Sequence, residues 1–181
     1  MRKGFDFFKT NLGNVSYNLE SIVQLPKVYK LFTQTFEINS DCLVLDGILD
    51  EDNDFERIGS IKINLENHLK IYLENFLSSS DIIEQWEITK EEVEWQQHKL
   101  LRIALLGQTG FGGLYLGCDD FNTDEIWIYN SENEEPFIKI DNNIFDFVKR
   151  LEFSKDFSNI SDDCYQRIYK NWGEEIWKIK K

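Results

Sequence analysis

The sequence predicts an α+β fold, in which a central, mostly antiparallel sheet forms a meander and is flanked by helices in a single domain. Three observations carry this. Arg102–Leu106 is a short, almost wholly apolar run, the pattern of a strand buried on both faces. Three alternating runs follow. Leu114, Leu116 and Cys118 alternate with Tyr115 and Gly117, Ile126 and Ile128 with Trp127 and Tyr129, and Ile138 and Ile140 flank Lys139. Turn-forming clusters separate them at Gly107–Gly113, Asp119–Glu125 and Ser131–Pro136, which is how an antiparallel meander reads. Last, Asn142 or Asn143 can cap a helix whose apolar residues Ile144, Phe147, Val148 and Leu151 make one stripe.

The remaining elements follow in chain order. Phe5, Phe7, Phe8 and Leu12 supply apolar cover for the core from a strand or a short helix. Leu25–Phe36 is a helix with Pro26 in its first turn, where a missing N–H costs nothing. Leu25, Val28, Tyr29, Phe32 and Phe36 form its stripe. Cys42–Leu45 and Ile58–Ile63 read as strands around an Asp46-Gly47 turn and an acidic loop of Asp50, Glu51, Asp52 and Asp54. Asn64–Leu77 has Leu65, Leu69, Tyr72 and Phe76 at helical spacing. Ser80–Lys99 offers two helix starts, Asp81 with Glu84 and Thr89 with Glu92, each resembling a capping box. Residues 1–152 make the domain, and 153–181 a C-terminal helical extension. Ser161 caps that extension, and Tyr165, Ile168, Tyr169, Trp172, Ile176 and Ile179 line one side. It either docks on the same domain or makes a dimer or partner contact.

Composition bounds function. The formal net charge of −13 disfavours nucleic acid and anionic membranes, whose phosphates would be repelled. It suits a basic protein partner. No window approaches the roughly 20 apolar residues of a membrane span. The N-terminus lacks the apolar core of a secretory signal. Cys42, Cys118 and Cys164 are odd in number and form no CxxC pair, so neither a disulfide framework nor a zinc site is expected. A cytoplasmic location with reduced thiols follows.

The motifs that suggest chemistry fall short of it. Gly107–Gly113 carries four glycines but no P-loop lysine, and no Lys or Arg occurs from Ile103 to Ile138. The glycines are expected to turn the chain or to permit close approach. Asp120, Asn122 and Asp124 open like a calcium loop, but Glu125 and Ser131 stand where Gly and a bidentate Glu are required. The two histidines, His68 and His98, sit beside no nucleophile signature or HExxH. No catalytic residue, cofactor or metal is expected.

Three motifs together carry a family resemblance. They are the Leu25-Pro26 helix with Val28, Tyr29 and Phe32, the glycine-rich hairpin running into Gly112–Leu116, and the acidic turn before Trp127-Ile128-Tyr129 with its closing helix. This order resembles the SUKH superfamily, the Smi/Knr-like proteins, over about a third of the chain, Leu25–Phe36 and Ile103–Leu151. Glu37-Ile38-Asn39-Ser40 replaces the Asn-Gly-Gly usual after the first helix. An aspartate that often follows the glycine-rich strand directly is matched one or two places on, at Asp119 or Asp120. Both departures mark a divergent member. The resemblance implies an α+β domain and a non-catalytic immunity protein. Such a protein binds a toxin domain, often a nuclease, and neutralises it. The alternative is a general protein-interaction or regulatory domain of the same fold.

An acidic inhibitor would be steered to a basic toxin. The expected surface is Asp119, Asp120, Asp124 and Glu125 in one turn and Glu132, Glu134 and Glu135 in the next. Trp127 and Tyr129 on the strand between them would serve as aromatic anchors.

Overall fold

A computed structural model describes residues 4–10, 19, 24–37, 61–64, 70–92, 97–106 and 111–153. Within these the fold is α+β. The expected strand Cys42–Leu45, the acidic loop 50–54, His68, residues 107–110 and the extension from 154 onward lie outside the described residues.

After a 3₁₀ turn at Gly4–Phe7 come strands β1 (Lys9–Thr10) and β2 (Phe36–Glu37), which pair with each other, and helix α1 (Lys27–Thr35) between them. The main sheet is built from β3 (Ile61–Asn64), β4 (Lys70–Phe76), β5 (Leu100–Leu106), β6 (Phe111–Gly117), β7 (Ile126–Asn130), β8 (Phe137–Asp141) and β9 (Glu152–Phe153). Helix α2 (Ser79–Thr89) separates β4 from β5, and α3 (Ile144–Lys149) separates β8 from β9. The spatial order is β8-β7-β6-β5-β4-β3-β9, antiparallel throughout. Six strands therefore follow one another as a meander. The chain then passes by way of α3 from the β8 edge to the opposite edge, where β9 pairs with β3. The sheet runs through Phe153, one residue beyond the boundary the sequence places at 152.

One face of the sheet carries Leu101, Leu114, Leu116, Ile126 and Ile128, all buried. Tyr29 and Phe32 of α1 and Ile144, Phe147 and Val148 of α3 join them in one core. Phe32 is the hub of an aromatic cluster. Its ring lies 5.3 Å from Phe36, 5.5 Å from Phe8, 5.5 Å from Phe145 and 6.1 Å from Phe76. Phe5 and Phe8 thus cover the core, from a 3₁₀ turn and the residue after it, while the expected Leu12 lies outside the described residues.

Two expectations are corrected. The helix expected over Asn64–Leu77 gives way at Lys70–Phe76 to a central strand between β3 and β5, while residues 65–69 lie outside the described residues. Ile71 and Leu73 alternate into the core, but an irregularity between Leu73 and Asn75 shifts the register, and Phe76 is buried as well. An extra residue of this kind breaks the period of two and gives the spacing a helical look. The start of α2 also differs. Ser78, not Asp81, is its N-cap, with Asp81 completing a reciprocal capping box. Thr89 ends this helix rather than opening another, and its hydroxyl donates to the Gln85 carbonyl.

β5 carries a second bulge, between Arg102 and Ala104. Leu101, Ile103, Ala104 and Leu106 are all buried, while Arg102 and Leu105 are half-buried. The nearly continuous apolar run arises from this extra core residue and from α2, which packs against β5.

α3 begins as the sequence indicates. The Asn143 side chain accepts from the Asp146 N–H at 3.0 Å. Beyond the helix, Arg150 pairs with Asp141 at 3.4 Å. Burial raises the Asp141 carboxyl from near 3.8 to about 6, against the smaller opposing pull of Arg150. A carboxyl with a raised folded-state pKa holds its proton more tightly when folded. Its contribution is therefore most favourable below about pH 4 and is lost as pH rises through 6. The full shift corresponds to about 3 kcal/mol, reduced to roughly 1–2 kcal/mol for partial solvent screening. Asp141→Asn should thus gain about 1–2 kcal/mol relative to wild type between pH 4 and pH 7, read from urea unfolding at each pH. A difference that stays constant with pH would show that Asp141 titrates normally.

Candidate partner-binding surface

The β6–β7 turn, where four of the expected acidic residues lie, is densely hydrogen-bonded. The Asn122 and Glu125 N–H groups donate to the carbonyls of Asp119 and Asn122, at 3.2 and 2.9 Å. The Thr123 hydroxyl donates to the Asp119 carbonyl, and the Asp119 N–H donates to the Asn122 side chain. That side chain in turn donates to the His98 carbonyl at 2.6 Å. Gly117 is required here. A Cβ on it would sit 2.0 Å from the Asn122 carbonyl oxygen, so no side chain fits without opening the turn.

Asp124 has a structural role. The N-cap of helix α1 is Pro26, just before Lys27, and it offers no side-chain cap. The Asp124 carboxylate supplies one from 95 residues away, accepting the Tyr29 N–H at 3.0 Å and the Val28 N–H at 3.3 Å. These are two of the first-turn donors that a helix leaves unpaired, and a negative charge there also suits the helix dipole. Asp124 has a φ of 68°, a left-handed conformation that Asp and Asn tolerate better than most residues. Glu125 is also occupied, in an ion pair with Lys139 on β8.

The freely presented part of this turn is smaller than the sequence suggests. Asp120 is exposed, and Asp119 is half-buried with its carboxylate accepting the Asp120 N–H. Between Asp120 and Asn122 stands Phe121, which is 96% exposed. A lone Phe in a polar turn has no local period, so the sequence does not tell an exposed ring from one that folds back onto the core. Glu132, Glu134 and Glu135 are exposed in the β7–β8 turn at the other end of β7. The two acidic turns are therefore separate, as the meander implies.

Trp127 and Tyr129 lie at neither tip. Both are half-buried on the sheet face opposite the main core, where Trp127 pairs across strands with Tyr115 and Lys139. This second face holds a cleft of about 530 Å³. Gln85 and Thr89 of α2 form one wall, and Arg102, Tyr115, Tyr129 and Phe137 come from the sheet. The Phe137 ring meets Tyr129 at 5.2 Å, His98 at 5.3 Å and Tyr115 at 5.5 Å. Burial raises the Tyr115 hydroxyl above its ordinary pKa, with Arg102 pulling the other way. Arg102 stands one residue before the stretch that lacks basic side chains, so the sequence does not reveal that it meets the glycines. Its guanidinium donates to the Gln85 side chain at 3.2 Å and to the Gly112 carbonyl. Gly113 leaves the room it needs, since a Cβ there would lie 2.5 Å from Arg102 Nε.

Other groups offer little reactivity. Burial pushes the Cys118 thiol up to about 12, which keeps it protonated and unreactive at neutral pH. Asp124 and Asn122, two residues of the calcium-like spacing, direct their side chains to α1 and to His98. Among the described residues no three His, Cys, Asp or Glu gather into a metal-holding group, and no helix is long and apolar enough to cross a membrane. No family model matches the chain, and no curated protein or solved structure matches it.

Proposed function

We propose that this chain is a cytoplasmic, non-catalytic immunity protein of the SUKH type that binds and neutralises a basic toxin domain, such as a nuclease. One structural observation supports it most. Phe121 is 96% exposed beside Asp119 and Asp120, on a turn held by its own hydrogen bonds and by Asn122. An exposed aromatic on a rigid support is what a binding anchor requires, because little loop entropy remains to be lost. The acidic neighbours and the net charge of −13 favour a cationic partner and speed its approach. The toxin itself is suggested by the sequence resemblance.

The reading predicts that a neighbouring gene encodes a large secreted protein with a toxin-like C-terminal domain, and it is tested by co-expressing the chain with that domain. Rescue of growth is expected. Phe121→Ala combined with Asp120→Lys should weaken binding to that domain by at least tenfold, with no loss of melting temperature, because neither side chain is buried. Full rescue and unchanged affinity in this variant would exclude the β6–β7 turn as the contact. Reversing Glu132, Glu134 and Glu135 to Lys tests the opposite end of β7 separately. Asp124 and Glu125 are unsuitable for charge reversal, since their carboxylates serve α1 and Lys139.

A further inference from the structure

The cleft on the second face is unconnected with the acidic turn, and its chemistry is different. Arg102 is half-buried within it. A guanidinium carries five N–H donors. Here one terminal nitrogen donates to Gln85 and the other to the Gly112 carbonyl. No carboxylate pairs with Arg102 among the described residues. That is unusual in a chain with 33 acidic and 20 basic side chains, since a partly buried cation is normally paired. The two hydrogen bonds and the contact with Gly113 fix the cation in place. Tyr115, Tyr129 and Phe137 line the same cleft, with the Phe137 ring set edge-on to both tyrosines.

We infer that this cleft is a binding site for a small planar organic carboxylate, whose charge is met by Arg102 and whose ring packs among Tyr115, Tyr129 and Phe137. The volume lies in the range of small-molecule sites, which are concave and equipped with a few fixed polar groups. A carboxylate is the natural counterpart of a guanidinium with free N–H groups. A single negative charge also fits best. Glu92 lines the same cleft, so a polyphosphate would place several charges opposite one cation and close to one anion. The edge-on packing already present among these rings is one of the geometries in which a further aromatic ring is favoured.

The test uses the full chain with 2-naphthoate and its neutral counterpart 2-naphthalenemethanol, followed by NMR titration, with inorganic phosphate as a third titrant. The site predicts that 2-naphthoate binds at least tenfold more tightly than the alcohol, with the largest shifts at Tyr115, Tyr129 and Phe137. Phosphate should leave those resonances unmoved at the same concentration. Arg102→Gln should reduce naphthoate affinity at least tenfold and leave that of the alcohol unchanged. Arg102→Lys, which keeps the charge but not the planar fork, should fall between. Equal binding of acid and alcohol to wild type would overturn the proposal in favour of an apolar cleft without an anion subsite. Tighter binding of phosphate than of naphthoate, or shifts confined to other surfaces, would also overturn it. Because the comparison of acid and alcohol is made on wild-type protein, it decides the matter even if Arg102→Gln fails to fold.

Discussion

Phe32→Ala is expected to lower stability by about 3–5 kcal/mol, the usual cost of removing a buried aromatic ring. Phe32 is fully buried, and its ring meets those of Phe8, Phe36, Phe76 and Phe145. These neighbours come from the amino-terminal segment, β2, β4 and α3. One substitution therefore loosens four separate parts of the chain. Domains of this size are stable by only about 5–15 kcal/mol, so the variant should sit near its unfolding transition at 37 °C. Leu31, the preceding residue, is 55% exposed, and Leu31→Ala should cost under about 1 kcal/mol. Urea unfolding of both variants checks this. A loss below about 1.5 kcal/mol in Phe32→Ala would mean that α1 does not organise the core.

Asp124→Ala should cost about 2–4 kcal/mol, although the residue replaced is an acid in a polar turn. Losing an N-cap costs about 0.5–2 kcal/mol, and this one makes charge-assisted bonds to two N–H groups, worth more than neutral ones. Alanine would also have to adopt the φ of 68°, which adds roughly 1 kcal/mol. Two further variants separate these causes. Asp124→Asn keeps an acceptor and tolerates the backbone, so it should recover more than half of the loss. Asp124→Gly relieves the backbone but cannot cap, and should recover only the smaller share. Asp120→Ala removes the same charge from an exposed position earlier in the same turn, and should change stability by less than about 0.5 kcal/mol. Equal stabilities for the Asp120 and Asp124 variants would refute the cap.

The contrast between Asp120 and Asp124 also marks how far the sequence is legible. Both are aspartates in one polar turn, and nothing local separates a solvated carboxylate from one that caps a helix 95 residues away. The same holds for Arg102. Its position before a stretch without basic residues suggests nothing, yet the register Arg102–Tyr115–Trp127 carries it to the aromatic face. Phe121 reads as an incidental turn residue until its exposure is seen. Gly113 matches the close approach expected of the glycine run, but only the fold shows that Arg102 is what approaches it, and that Asn122 makes the same demand of Gly117.

The sequence by itself determined the α+β class, helices α1 and α3, and strands β5 to β8 in their meander. Each of these rests on a local period or on a turn composition, and side chains of the same chain segment suffice to express it. Tertiary structure alone decided that Lys70–Phe76 is a strand and that Glu152–Phe153 closes the far edge of the sheet. A bulged central strand has no clean period of its own, and a two-residue strand has none at all. Both exist because neighbouring strands satisfy their backbone hydrogen bonds. Likewise, which carboxylates are free to meet a partner depends on which N–H groups and cations the fold brings beside them. Those partners come from distant parts of the chain, so the sequence names the acids while the packing allots their roles.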